Sequence, residues 1–380
     1  MRIALVSPYD FSYPGGVTNH ITCLERYLRE MGHYVRVVGP ASKVSNLFNG
    51  QFIAIGKPRP LPASGSICRV TISPWISGKI KDILIRENFD IVHLHEPFMP
   101  MICTTVLRMS ESVNIGTFHA HAGSPGYEFG RPLSTFFLKR WFRRLDGHIA
   151  VSRPAQQFVN KYFPADYTII PNGVDLEHFS PDVAPIDRFG DGKLNILFVG
   201  RLEKRKGLNY LLEAYHQVKK EFYKCRLIVV GPGTRLRKKY EKIIASEDMK
   251  DVVFVGHVNY DELPRYYKTA DIFCSPAISR ESFGIVLLEA MAMSKPIVAS
   301  DIEGYASVMT SGEEGLLTPP KDVSGLSQSL MSLLTDHTLR LEMGGKGRIT
   351  AAKYSWLRVS RQISDFYQET IKRTSTRHKK

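Results

Sequence analysis

The chain has 380 residues, 43% hydrophobic and 23% charged, enough to bury two cores of ordinary domain size, which excludes disorder except at the ends. Its 51 Lys and Arg against 37 Asp and Glu leave a formal charge of +14, which favours an anionic partner without choosing among phosphates, nucleic acid and an acidic membrane face. Five scattered cysteines without C-x-x-C spacing argue against a disulfide framework and a zinc ribbon, and no apolar run reaches the roughly 18 residues of a membrane span.

Met1 leads straight into the strand-like RIALVS, with no basic-then-apolar leader, so a cytoplasmic protein is expected. Next comes a helix over 16–31, striped by Val17, Ile21, Leu24, Leu28 and Met31. The β-branched runs HYVRVVG, DIVHLH, VNIGTFH and GHIAVS follow, interleaved with amphipathic stretches. After residue 190 the same grammar returns in LNILFVG, CRLIVVG, DVVFVG, DIFCS and PIVAS. Strand then helix, repeated, predicts an α/β protein of two doubly wound, Rossmann-like domains with parallel sheets. The first is expected over 1–175 and the second over 193–354. The Gly-, Pro- and Asp-rich stretch 176–192 reads as a linker. A last amphipathic run carries Val359, Ile363, Phe366 and Tyr367. The helix 355–373 is expected to pack back on the first domain, and the basic tail KRTSTRHKK to fray.

In such sheets ligands collect outside the carboxyl ends of the strands, and two facing domains would enclose a cleft there. After the first strand, PYDFSYPGGVTNH sets Pro14 before the Gly15-Gly16 pair that opens a helix, suited to phosphate but equally to a tight turn. It lacks the third glycine of a dinucleotide fingerprint. GRLEKRKG places Arg201, Lys204, Arg205 and Lys206 in one window. Cations at a helix start oppose its dipole, so the window reads as a phosphate site or as a solvated face. In ESFGIVLLE, the N–H groups of Ser282, Phe283 and Gly284 are expected to start a helix. From Ser282 to Ser294, Glu289 is the only charged side chain, and a buried carboxylate needs a polar partner. That partner is either an ion pair within the core or the hydroxyls of a bound ligand such as a ribose. His93 with His95, and His119 with His121, stand at H-x-H spacing on strands. A metal site is weighed against a single imidazole, His119, touching substrate, and no D-x-D or further ligand cluster supports the metal.

PGGVTNH, FH at 118–119, IPNGVD at 170–175, GRLEKRKG and the glutamates of ESFGIVLLE together resemble retaining glycosyltransferases of family four, which have the GT-B fold. SPYDFSYPGGV, HLHEP, GTFH and ESFGIVLLEAMA are most similar to the bacterial phosphatidyl-myo-inositol mannosyltransferases. The resemblance covers essentially the whole chain. It implies that Gly15 and Gly16 approach the diphosphate of a nucleotide sugar and that Arg201 and Lys206 neutralise it. It further implies Glu281 on sugar hydroxyls, Ser282, Phe283 and Gly284 at the donor, Glu289 on the ribose and His119 near the reacting carbon. Arg205, Tyr9 and Thr18 fall on the acceptor side. GDP-mannose is the implied donor, a membrane lipid such as phosphatidylinositol the acceptor, and no metal or cofactor is required. A UDP-sugar donor with a glycolipid or polysaccharide precursor is the alternative. The chain departs from that subgroup at Thr18 for a glutamine, Phe98 for an asparagine and Ala120 for a threonine, and in AGSPGYE after FHAH, all of which bear on the acceptor.

Arg69, Lys79, Lys81 and Arg86 near Trp75 and Ile76, and FFLKRWFRR with Phe137 and Trp141, fit either an anionic bilayer surface or helices packed on a sheet. With the lipid acceptor that the resemblance implies, the expected location is the inner face of the cell membrane, held peripherally. A nucleic-acid module finds no motif or stacking platform in the chain. A metal hydrolase using the histidine pairs and a sugar-nucleotide epimerase are the remaining rivals.

Overall fold

The computed structural model describes residues 1–13, 15–43, 47–63, 66–73, 75–120, 138–233, 236–279 and 281–377. The chain divides into two compact units, Met1–Gly173 with Trp356–Lys380, and Val174–Ser355.

In the first unit the strands are β1 (Arg2–Val6), β2 (Tyr34–Gly39), β3 (Phe52–Ala54), β4 (Pro58–Ala63), β5 (Ser66–Thr71), β6 (Ile91–His95), β7 (Val113–Phe118), β8 (Gly147–Ala150) and β9 (Thr168–Ile169). Among the described residues, seven of them form one parallel sheet in the order β3-β2-β1-β6-β7-β8-β9, while β4 and β5 pair as a separate antiparallel hairpin. The central strands β1, β6 and β7 are buried along nearly their whole length because both sheet faces are covered. On β1, Ile3 and Leu5 turn to one face with Ile21, Leu24 and Leu28 of the helix Gly16–Glu30. Ala4 and Val6 turn to the other, with Val92, Leu94 and Phe98. The helix Trp356–Arg377 adds Trp356, Val359, Ile363 and Tyr367 to the first face.

The second unit holds β10 (Leu194–Val199), β11 (Cys225–Val230), β12 (Val252–Gly256), β13 (Ile272–Ser275), β14 (Ile297–Ser300) and β15 (Gly315–Thr318). They form a parallel sheet ordered β12-β11-β10-β13-β14-β15. Ile196 and Phe198 pack on the helix Leu208–Glu221, and Leu197 faces the helices Leu263–Thr269 and Ile285–Ala292.

Two sequence expectations need correction. Residues 176–192 are part of the second unit rather than a linker, because Phe179 and Phe189 are buried in its core and the Ile186 N–H donates to Thr269 Oγ1 at 2.7 Å. The Gly- and Pro-rich composition hid these two aromatic anchors. The basic tail is helical as far as Arg377 rather than frayed, since the helix that buries Tyr367 also carries Thr370, 2% exposed, one turn later. None of the five cysteines forms a disulfide.

Candidate functional site

In each sheet the strand order reverses once, between β1 and β6 and between β10 and β13, and the crevice outside the carboxyl ends at such a point is where ligands bind. The loops leaving these strands carry the residues singled out above.

In the second unit, the loop after β10 makes a tight turn over Lys204–Lys206 and ends at Gly207, with φ 71°. A Cβ there would stand 1.8 Å from the Pro276 carbonyl oxygen, so only glycine lets the loop leaving β10 lie against the loop leaving β13. The Ile278 N–H donates to the Arg205 carbonyl at 2.8 Å and fastens the two loops together. Arg201 Nε lies 3.2 Å from Glu203 Oε1, Arg205 Nε 2.9 Å from Glu203 Oε2, and Lys206 Nζ 2.8 Å from Glu281 Oε1; Arg205 Nη1 also donates to Glu281 Oε1. Burial alone would raise the Glu281 carboxyl, but the Lys206 and Arg205 charges outweigh it and hold its pKa below the ordinary value. Three cations thus face two carboxylates, and Lys204 points to solvent. Arg205, expected at an acceptor phosphate, sits between Glu203 and Glu281. Glu281, expected at sugar hydroxyls, is bound to cations of its own unit.

Glu289 is 7% exposed, and its partner is the Tyr267 hydroxyl, which donates to Oε2 at 2.7 Å. Burial raises the Glu289 pKa to about 7 against the opposing effects of Tyr267 and Lys206. Tyr267 was not foreseen: in LPRYYKTADIF it reads as a core aromatic, and it is one, 0% exposed, with only its hydroxyl turned to the acid. The helix expected to start at Ser282 begins at Ile285, capped by Gly284 at φ 96°. Phe283 is buried in the core, which pulls the chain inward before the first turn.

In the first unit, Gly15 caps the helix Gly16–Glu30 with extended backbone, and Thr18, 6% exposed, donates its hydroxyl to the Gly15 carbonyl at 3.0 Å. Tyr9 lies in the preceding loop, held by an antiparallel bridge to Val70. Asp10, unforeseen, organises that loop by accepting from the N–H groups of Ser12 at 3.0 Å and Ser42 at 2.9 Å. His93 and His95 share a face of β6 but not a role. Both ring nitrogens of His93 are occupied, by the Tyr367 hydroxyl at 2.7 Å and the Thr117 hydroxyl at 2.6 Å. His95 Nδ1 is 3.0 Å from His119 Nε2, and His20 lies beside both, with ring centroids 5.2 and 4.9 Å away. Burial holds the pKa of His20 near 4 and that of His93 near 3, and burial with the neighbouring rings keeps His95 and His119 well below the usual range. Glu96 Oε1 accepts from the N–H groups of His119 at 2.7 Å and Ala120 at 2.8 Å. Phe98, 2% exposed, packs into the core with its centroid 4.6 Å from that of Phe163.

Of the expected surface residues, Trp75 is 91% exposed and Lys81 exposed, whereas Ile76 is in the core, a correction to its place in that patch. Lys79 donates to the Ala54 carbonyl at 2.8 Å, Arg69 stacks on the Tyr13 ring at 3.7 Å, and Arg86 pairs with Glu87 at 3.1 Å. Trp141 packs against the core. Pro14, His121, AGSPGYE and Phe137 lie outside the described residues. No described helix is long and apolar enough to cross a membrane.

Comparison with known proteins covers both units. Residues 14–178 match the model of Glycosyltransferase Family 4, and residues 183–350 that of Glycosyl transferases group 1. The phosphatidyl-myo-inositol mannosyltransferase of Mycobacterium leprae is 34% identical over 97% of this chain and 96% of its own. Among solved structures, a glycosyltransferase from Rickettsia africae superposes with a TM-score of 0.80 at 18% identity, covering 98% of this chain and 99% of that one. HepE of Anabaena, in complex with UDP and glucose, gives 0.77 at 17% identity over 97% and 100%. At these identities the two structures speak for the fold alone.

Proposed function

Because the chain belongs to glycosyltransferase family 4 and has its GT-B fold, we propose that this hexosyltransferase moves mannose from GDP-mannose to a membrane lipid such as phosphatidylinositol, with retention at the anomeric carbon. The observation that carries this reading is the 34% identity, over nearly the full chain, to a relative whose name gives both sugar and acceptor.

Transfer from a nucleotide diphosphate sugar builds positive charge at the anomeric carbon and negative charge on the leaving phosphate. Fixed cations at that phosphate stabilise charge that grows in the transition state, each well-placed group contributing about 3 kcal/mol. Arg201 and Lys206 take this role. Lys206 and Arg205 already surround Glu281, so an arriving diphosphate exchanges one anion for another instead of meeting desolvated, unpaired cations. Glu281, released in part, accepts from sugar hydroxyls. Ionised Glu289 accepts from the ribose, Gly15 and Gly16 admit the diphosphate against the backbone, and His119 contacts the sugar. Attack occurs on the face the leaving group departs from, with no sugar bound to the enzyme and no metal required.

A groove of about 530 Å³ in the first unit, bordered by Lys57, Arg59, Lys79, Ile72 and Trp75, supports peripheral contact with an anionic bilayer. A second reading, a UDP-sugar donor with a different glycolipid or polysaccharide precursor, is favoured at the acceptor by one observation. Phe98, at the position where the resemblance implies an asparagine, has its ring turned into the core, away from any inositol phosphate. The test is thermal-shift screening with GDP-mannose, UDP-glucose and ADP-glucose, then mass spectrometry of products on vesicles with and without phosphatidylinositol. Stabilisation by GDP-mannose and a hexosylated phosphatidylinositol are expected. A shift with UDP-glucose alone overturns the donor, and product only on other lipids overturns the acceptor.

A further inference from the structure

We propose that His20, His95 and His119 form a binding site for a late first-row transition-metal cation of the zinc type, and that a bound cation silences transfer by taking the His119 imidazole. The three rings arrive from three elements: the helix Gly16–Glu30, the end of β6 and the residue after β7. Each offers a nitrogen within 4.8 Å of one from each of the others.

The hydrogen bonding leaves this cluster unfinished. The Asn172 side-chain oxygen only accepts, so His20 Nδ1 carries the proton and donates at 2.9 Å, which leaves Nε2 a bare lone pair. Among the described residues that atom is buried with no hydrogen-bond partner. Buried polar atoms are rarely left so, and a lone pair is satisfied by a proton donor or a cation. An oxygen acceptor on the far nitrogen is also how metal-binding imidazoles are oriented. The 3.0 Å between His95 Nδ1 and His119 Nε2 is close to the roughly 3.3 Å separating two nitrogens on one tetrahedral ion with metal–nitrogen distances of about 2.05 Å. His93, satisfied at both nitrogens, is excluded by the same criterion.

Three neutral imidazoles select zinc, copper or nickel over magnesium, calcium or manganese, which prefer oxygen. His20 and His95 are 2% and 0% exposed and His119 is partly buried, so the cluster is an interior one. The binding claim stands independently of the proposed reaction. Only the inhibition rests on His119 touching the sugar.

The test begins with the full chain stripped by chelator and titrated with Zn2+ in a calorimeter and with Co2+ in a spectrophotometer. One ion per chain is expected, with the visible band of four- or five-coordinate cobalt. His20→Ala should weaken binding at least tenfold, and the exposed His257→Ala should leave it unchanged. Circular dichroism checks that each variant is folded; if His20→Ala is not, His20→Gln takes its place. Zn2+ should then inhibit transfer in the wild type and about tenfold less potently in the His20 variant. Absence of the cobalt band, equal affinity in wild type and a folded His20 variant, or a zinc-soaked crystal with only water among the rings overturns the site. Zinc bound there without slowing transfer overturns the inhibition and leaves the site intact.

Discussion

At the scale of single residues, Glu289 carries a prediction that needs only its burial and one hydrogen bond. Its carboxyl titrates near 7 in place of the ordinary 4.5, so the protein without donor holds a proton there up to neutral pH. The ionised form is the stronger acceptor for two ribose hydroxyls, so donor binding favours release of that proton. Affinity therefore rises with pH, at most tenfold per unit, and levels off above about 7. Folding stability runs the other way: ionising a buried acid becomes costly as pH climbs from 4.5 to 7, and the cost is constant above. Tyr267→Phe removes a donor that favours the ionised form, so the midpoint of the affinity curve should move upward; Glu289→Gln should flatten it. Calorimetric donor titrations from pH 5.5 to 8.5 measure both, and a Tyr267→Phe curve coinciding with the wild type counts against the coupling. Glu289 was legible because a lone acid in an apolar run demands a partner. Its partner was not, because a buried tyrosine in sequence reads as packing. His20 was hidden differently: the pattern PGGVTNH ends on it, yet only the fold brings it beside His95 and His119.

At the scale of elements, the parallel strands were legible because each is a short β-branched run followed by an amphipathic stretch. The hairpin of β4 and β5 was not, since PRPLPA carries two prolines beyond Pro58 and turns no apolar face inward by alternation. The start of the helix Ile285–Ala292 was misplaced by three residues because Phe283 is anchored in the core before the helix can turn. What sets that start is Gly284. Its φ of 96° strains any other residue, and a Cβ would meet the Tyr305 ring at 2.8 Å. Gly284→Ala should therefore cost about 2–5 kcal/mol, a backbone term of roughly 1–3 together with overpacking. Urea unfolding followed by circular dichroism gives the number, and a loss under 1 kcal/mol is incompatible with this account. Because Glu289 sits one turn into the same helix, donor affinity should fall with stability in this variant, unlike in Tyr267→Phe.

At the scale of the molecule, the chain leaves its first unit at Gly173 and returns to it at Trp356, so the helix Trp356–Arg377 completes a core begun by the opening strand. Trp356 lies over His20 with centroids 4.8 Å apart and fills the space a Cβ on Gly173 would need, 2.6 Å away; Tyr367 holds His93. Trp356, Val359, Ile363 and Tyr367 are each at most 3% exposed. At about 1.5–3 kcal/mol per fully buried side chain they contribute on the order of 6–12 kcal/mol, comparable with the 5–15 of a whole domain. Deleting residues 356–380 should therefore unfold the first unit and leave the second folded, since Val174–Ser355 retains its own sheet and both of its cores. Hydrogen exchange separates the outcomes: amides of β1 to β9 should lose protection in the truncated chain while those of β10 to β15 keep it. Protection retained across β1 and β6 would mean that the remaining helices bury the first sheet without the returning one, and the four side chains would then be worth far less than their burial indicates.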